Sequence, residues 1–214
     1  MKRNAEKAFT LVEISIVLVI IGLIIGGVLT GQQIIENARI TNAVNAIQAY
    51  EAAFQSYSQN YGVLPGDDPS ATHRFSGSSN VPAANGDGNG IVSGTFDSST
   101  ATDESRLIWA DLRAAELVKN QVTSGTTAVQ PPNPWGGIYG FQNGAFGIFT
   151  TPVLCLNDVP TDAAQMLDTR LDDGNSDSGS VQASSTSATA SPDASSATSS
   201  GYVAGKTYTV CIKF

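Results

Sequence analysis

From Phe9 to Leu29 the chain is an almost unbroken apolar run with a single charge, Glu13. As a helix this run would be roughly 31 Å long, close to the thickness of a bilayer's hydrocarbon core. Lys2, Arg3 and Lys7 precede it. A positive flank stays on the cytoplasmic side, so the remainder is expected to cross. That constraint splits the chain into a short leader, a membrane-length helix and whatever follows Leu29.

Glu13 is the informative departure. An acid at the centre of a membrane helix costs roughly 2.5–3.5 kcal/mol, and intramembrane acids usually have a partner. Near the end of the run the cost is smaller, and a carboxylate snorkelling to the interface is one reading. The other reading needs a cation at the same depth. If the chain is cut after Ala8, the new α-amino group of Phe9 is such a cation. It would meet Glu13 of a neighbouring copy and set the stagger between packed helices.

Lys7-Ala8-Phe9-Thr10-Leu11-Val12-Glu13-Ile14, followed by the apolar run, resembles the start of type IV prepilins and type II secretion pseudopilins. In that family a basic leader is removed before the phenylalanine, the new N-terminus is methylated, and the helix becomes the core of a filament. Carried over by position, the resemblance implies cleavage between Ala8 and Phe9, N-methylation of Phe9, and Glu13 as the registry carboxylate for assembly. Ala8 stands where the family carries glycine. Two other readings use the same stretch. One is a secretory signal cut after its apolar region at small residues such as Gly26 or Gly31. The other is a plain single-pass anchor, which has no use for Glu13.

The formal net charge is −8, and it becomes −10 without the first eight residues, which hold Lys2, Arg3, Glu6 and Lys7. With no Lys/Arg cluster beyond the leader, no nucleic-acid partner is expected, because such binding rests on basic groups neutralising phosphates. Cys155 and Cys211 are the two cysteines. In an exported segment they read most simply as one disulfide, the alternative being two buried thiols. A disulfide-bracketed C-terminal region is similar to that of many type IV pilins.

The helical pattern continues past Leu29. Ile40, Val44, Ile47, Tyr50, Phe54, Tyr57 and Tyr61 recur at spacings of three and four, with polar residues between. Residues 31–61 therefore read as the amphipathic half of the helix that starts at residues 9–30. Gly62 and Pro65 end it. Residues 62–101 read as a long connection, with turn chemistry at Leu64-Pro65-Gly66-Asp67-Asp68-Pro69. A helix is expected from Thr102 to about Val118, and another over Thr161–Leu171 behind Pro160. Ile138–Phe141 and Phe146–Phe149 flank Asn143-Gly144, a hairpin signal. Val153–Leu156 reads as a further strand, and Thr207–Phe214 as a closing one. Ser176–Ser200 is nearly all Ser, Thr, Ala, Gly and Asp and reads as a mobile insertion of the 62–214 head.

Asn85-Gly86-Asp87-Gly88-Asn89-Gly90-Ile91 alternates oxygen-bearing side chains with glycines, and a glycine holds the sixth place, as in a calcium loop. Phe96 stands where an EF-hand needs its bidentate glutamate, so the loop is not an EF-hand. The candidate calcium ligands are the side chains of Asn85, Asp87 and Asn89 and the carbonyl of Ile91. The alternative is an ordinary Asn/Gly turn cluster.

The expected fold is α+β and pilin-like: a long N-terminal helix packed on a small antiparallel sheet. The resemblance implies a structural subunit of a type IV pilus or pilus-like filament, first in the bacterial inner membrane with its head in the periplasm, then in the filament. A minor pseudopilin or tip subunit is the alternative. The implied partners are copies of itself, other pilins, prepilin peptidase, an assembly platform and ATPase, and a secretin. An enzyme is not expected. His73 is the one histidine, no nucleophile motif or Cys/His metal cluster occurs, and Asp67 and Asp68 are adjacent in a turn with no partner evident in the sequence. No cofactor is required, calcium being the one candidate.

Overall fold

The computed structural model describes residues 10–78, 81–119, 129–185 and 201–214. The elements are helix α1 (Leu11–Tyr61), α2 (Ala71–Arg74), α3 (Glu104–Ala114), strands β1 (Tyr139–Ala145) and β2 (Phe149–Pro160), α4 (Thr161–Leu171), β3 (Val181–Ser184) and β4 (Thr207–Lys213). The chain divides into two compact units, Met1–Arg39 and Ile40–Phe214.

In the first unit, the described residues belong almost entirely to α1. The large apolar side chains from Leu11 to Leu29, and then Ile34 and Ile35, are all exposed. This helix is long and apolar enough to cross a membrane. A helix that is apolar all round has no face to give to water and must be covered by lipid or protein.

The second unit is α+β. The rest of α1 buries Ile40, Ala43, Ile47, Phe54 and Tyr57, while Val44, Tyr50 and Tyr61 pack half-buried beside them. At spacings of three, four and seven, these side chains share one helix face. They meet a four-stranded antiparallel sheet of order β1-β2-β4-β3. Two rows cross all four strands on that face: Phe141, Leu154, Ile212, Val181, and Tyr139, Leu156, Val210, Ala183. Phe54 packs tilted on Phe141 and edge-on against Phe214 with ring centres 5.2 and 5.3 Å away, and Tyr50 meets Trp109 and Tyr139 edge-on at 5.0 and 5.3 Å. Such pairs add roughly 0.5–1.5 kcal/mol each beyond the area they bury. The opposite face carries a smaller cluster of Phe96, Ala145, Phe146, Phe149 and Val153 around the Cys155–Cys211 disulfide.

Five local expectations move. The Asn143-Gly144 pair does not make the hairpin. It sits inside β1, where the register shifts between Asn143 and Ala145, and the tight turn is Ala145–Ile148. Phe146 and Gly147 there have φ of 55° and 67°, both left-handed, as a primed hairpin turn needs. Turning three residues later puts Phe146 and Phe149 into the cluster around the disulfide, so burial outweighs the Asn-Gly preference. Helix α3 stops at Ala114, short of Val118. Glu116 takes φ 59°, Leu117 N–H donates to Leu112 O, and Glu116 N–H donates to Arg113 O. These are the two bonds of a Schellman cap, made with Glu in the place of the usual glycine. The strand expected at Val153–Leu156 is the middle of one long β2. Thr207–Lys213 is an inner strand, because β3 forms the edge beside it. That edge strand lies within the stretch read as a mobile insertion. Its four residues are buried, and residues 186–200 lie outside the described ones.

Candidate functional site

Two places in the structure carry the residues singled out above. The first is the start of α1. Thr10 N–H and Thr10 Oγ1 both donate to Glu13 Oε2, at 2.9 and 2.7 Å, and Glu13 N–H reaches back to Thr10 Oγ1 at 3.3 Å. This is a reciprocal capping box, in which Ser/Thr and an acid three residues on satisfy the free N–H groups of a helix start. Thr10 is a capping residue that the sequence reading missed, although its Thr-x-x-Glu signal was present. Ala8 and Phe9 lie outside the described residues.

The second place is the junction between the end of α1 and the start of α3. Its centre is Asp68, fully buried. Asp68 accepts from Tyr57 Oη at 2.9 Å, Arg74 Nε at 2.9 Å, Arg74 Nη2 at 3.3 Å and Ser70 N–H at 2.8 Å. Arg74 also lies 4.7 Å from the centre of the Tyr61 ring. Burial alone would push the Asp68 carboxyl up; the bonds from Arg74, Ser70 and Tyr57 outweigh it and hold the carboxyl below its ordinary value. Asp67 accepts Gly88, Asn89 and Gly90 N–H at 2.7–3.1 Å. The expectation that these two acids lack partners is thus corrected: each organises a loop.

The candidate calcium residues sit in that second loop. Asn85 Oδ1 accepts Thr72 N–H, Asp87 Oδ1 accepts Asn89 N–H, Asp87 Oδ2 accepts Asn89 Nδ2–H, and Asn89 Oδ1 accepts Ile91 N–H, all at 2.7–3.0 Å. Every side-chain oxygen read as a ligand is therefore engaged inside the protein. The carboxylates that gather here come from three separate segments, Asp67, Asp87 and Glu104, with oxygens within 4.8 Å of one another. Glu104 accepts Asp87 N–H and Ser93 N–H at 2.9 and 2.7 Å. The positive ends of backbone N–H groups thus serve Asp67 and Glu104, and the geometry makes both of them loop anchors. Nothing in the residue pattern of Asn85–Ile91 announced Glu104, which reaches the loop only through the packing of α3.

Gly66 joins the junction to α3. It has φ +85°, and a Cβ there would stand 2.3 Å from Glu104 O and 2.6 Å from Ile108 Cγ1. Both the left-handed backbone and the helix surface require glycine. Gly66→Ala is expected to lower the unfolding free energy by about 2 kcal/mol or more, through strain and overpacking together. Urea denaturation of the variant checks this, and a loss under about 0.5 kcal/mol would show that the turn is free to shift away from α3.

Cys155 and Cys211 are directly opposite in the β2–β4 register and are bonded. His73 is exposed on α2.

A family model for the prokaryotic N-terminal methylation motif matches residues 3–29. Neither curated protein sequences nor solved structures give a match to the chain. The matched segment holds Arg3 and Lys7, the Ala8–Phe9 junction, the Thr10–Glu13 box and the exposed apolar run to Leu29 in one order. The chain thus carries the type IV prepilin and pseudopilin signature at its N-terminus.

Proposed function

We propose that this protein is a structural subunit of a type IV pilus or pilus-like filament. It is held in the inner membrane by the first part of α1, cut between Ala8 and Phe9, methylated on Phe9, and polymerised through that helix. The observation that carries this reading is the run of exposed apolar side chains from Leu11 to Leu29, which lies within the methylation motif. A surface of this kind is stable in lipid or against copies of itself. Extraction from lipid into a filament core exchanges one apolar cover for another. Glu13 and the Phe9 amine then select the register, since a mismatched register leaves both charges unpaired. In this reading the capping box is the resting arrangement of the free subunit, and a neighbour's amine replaces Thr10 on assembly. The head disulfide favours a pilus over a secretion pseudopilus. Copy number per filament separates a major from a minor subunit. No cofactor enters the mechanism.

The first test is N-terminal sequencing and intact mass of the protein from its native host. A chain starting at a methylated Phe9 supports the reading; a start beyond Leu29 overturns it. The second is Glu13→Gln. Glutamine also serves in a capping box, so helix α1 keeps its start and only the charge is lost. The subunit is expected to accumulate in the membrane while the yield of sheared filaments falls by at least about tenfold, a loss of about 1.4 kcal/mol or more in assembly. Filaments at normal yield would remove Glu13 from the mechanism.

A further inference from the structure

Asp111, on α3, is buried, and the filament reading makes no use of it. Its Oδ2 accepts Gly66 N–H at 2.6 Å, while its Oδ1 is buried with no hydrogen-bond partner among the described residues. The groups facing it come from two elements and the turn between them. Tyr57 of α1 and Asp68 of the turn both lie close enough to interact with it electrostatically. Arg74 of α2 is the cation in reach, and its Nε and Nη2 bonds go to Asp68. On α3 itself, Arg113 turns elsewhere, donating to Val129 O at 2.5 Å. An ionised Asp111 would therefore place a second negative charge beside Asp68, with one oxygen desolvated and only Gly66 N–H and an Arg74 already bonded to Asp68 to offset it. A buried carboxylate in that position is far costlier than a buried acid.

We infer that Asp111 is a proton-operated latch: neutral, it seats the Pro65–Asp67 turn on α3, and ionised at alkaline pH it releases that turn together with the loop behind it. The connection to the loop is direct. Gly66, held by Asp111, precedes Asp67, and Asp67 anchors Gly88, Asn89 and Gly90. Gly86 N–H is held in turn by Asp68 O at 3.1 Å. Unseating the turn removes the acceptors of Gly86, Gly88 and Gly90 N–H and one of the two acceptors of Asn89 N–H. The latch reports external pH to an exposed loop of the head, and it does so whether or not the chain assembles into filaments.

Burial pushes the Asp111 carboxyl up to about 8; the Gly66 N–H opposes this, Asp68 adds to it, and Arg74 opposes it in turn. A carboxyl raised in the folded state binds its proton more tightly there than in the opened state. Closure is therefore strongest at acid pH, weakens as pH rises from the ordinary aspartate value, and levels off above about 8.

Hydrogen exchange of the mature chain in detergent micelles tests the latch. Protection of the Gly66, Gly88 and Gly90 amides, corrected for intrinsic exchange, is expected to fall about 100-fold between pH 6 and pH 9. Asp111→Asn has the shape of the neutral acid and is expected to hold the pH 6 protection at both values. Equal pH dependence in the two proteins, or a wild-type chain with constant protection, overturns the latch. A carbon-13 titration of the Asp111 carboxyl needs no variant. A midpoint near 8 is expected, and one in the ordinary carboxylate range overturns the inference even if Asp111→Asn fails to fold.

Discussion

Replacing Cys155 and Cys211 together by alanine is expected to lower the stability of the 40–214 unit by roughly 4 kcal/mol. The bond joins residues 56 apart in sequence, and in the chain-entropy view a loop of that size gains about this much from closure. The loop contains α4, β3 and the residues up to β4, so without the bond the two inner strands must find each other across all of it. Both cysteines are fully buried in a cluster with Phe96, Phe149 and Val153. Alanine is the better replacement because serine would bury an extra hydroxyl there. Against a typical total of roughly 5–15 kcal/mol, this is a large share. Chemical denaturation of the variant, and of the wild type with and without reductant, measures it. A change under about 1 kcal/mol in both experiments would mean that strand pairing alone holds β2 and β4 together.

Asp68→Ala is expected to cost roughly 3–5 kcal/mol, the range for breaking a buried charge pair from one side. The change strips Tyr57 Oη of its acceptor inside the core and leaves Arg74 bound to nothing on that side. It also frees Ser70 N–H at the start of α2. The effect is pH-dependent with a definite sign. A carboxyl held below its ordinary value stabilises the fold above the unfolded-state value, and that contribution is lost as pH falls through the folded-state value. Wild type and variant should therefore converge in acid and separate at neutral pH. Urea denaturation at both pH values decides it, and a neutral-pH difference below about 1 kcal/mol would show that solvent replaces the lost bonds. Asp68 and Asp111 act in opposite directions. One weakens the junction in acid and the other in alkali, so a stability maximum between the two is expected.

Much of the fold was legible locally. The length of the apolar run, the period of the amphipathic half and the Pro160 signal located α1 and α4, because each is a short-range pattern of burial or capping. The Asn143-Gly144 turn was misplaced because turn propensity is weak beside the burial of Phe146 and Phe149. Helix α3 was overextended because Glu116 makes the left-handed cap that glycine usually announces. Strand β3 was hidden in a serine-rich stretch whose composition argues for mobility. Val181–Ser184 pairs with β4, and that partner is supplied only by the sheet.

At the candidate site the division is sharper. Residues 3–29 determined by themselves the methylation signature and the exposed apolar helix, because a linear motif and a continuous apolar run need no tertiary partner. In the sequence Asp67 and Asp68 were visible only as turn residues, and the 85–91 loop only as a candidate calcium loop or a turn cluster. Their partners, Tyr57, Arg74, Glu104 and Asp111, come from different elements, and no local spacing connects them. Tertiary packing decided that grouping, since burying Ile108, Trp109 and Leu112 of α3 against α1 and the sheet brings the acids of α3 onto the turn at Gly66. Hydrophobic burial set the distances, and the carboxylates then took the backbone N–H groups that burial had left without water.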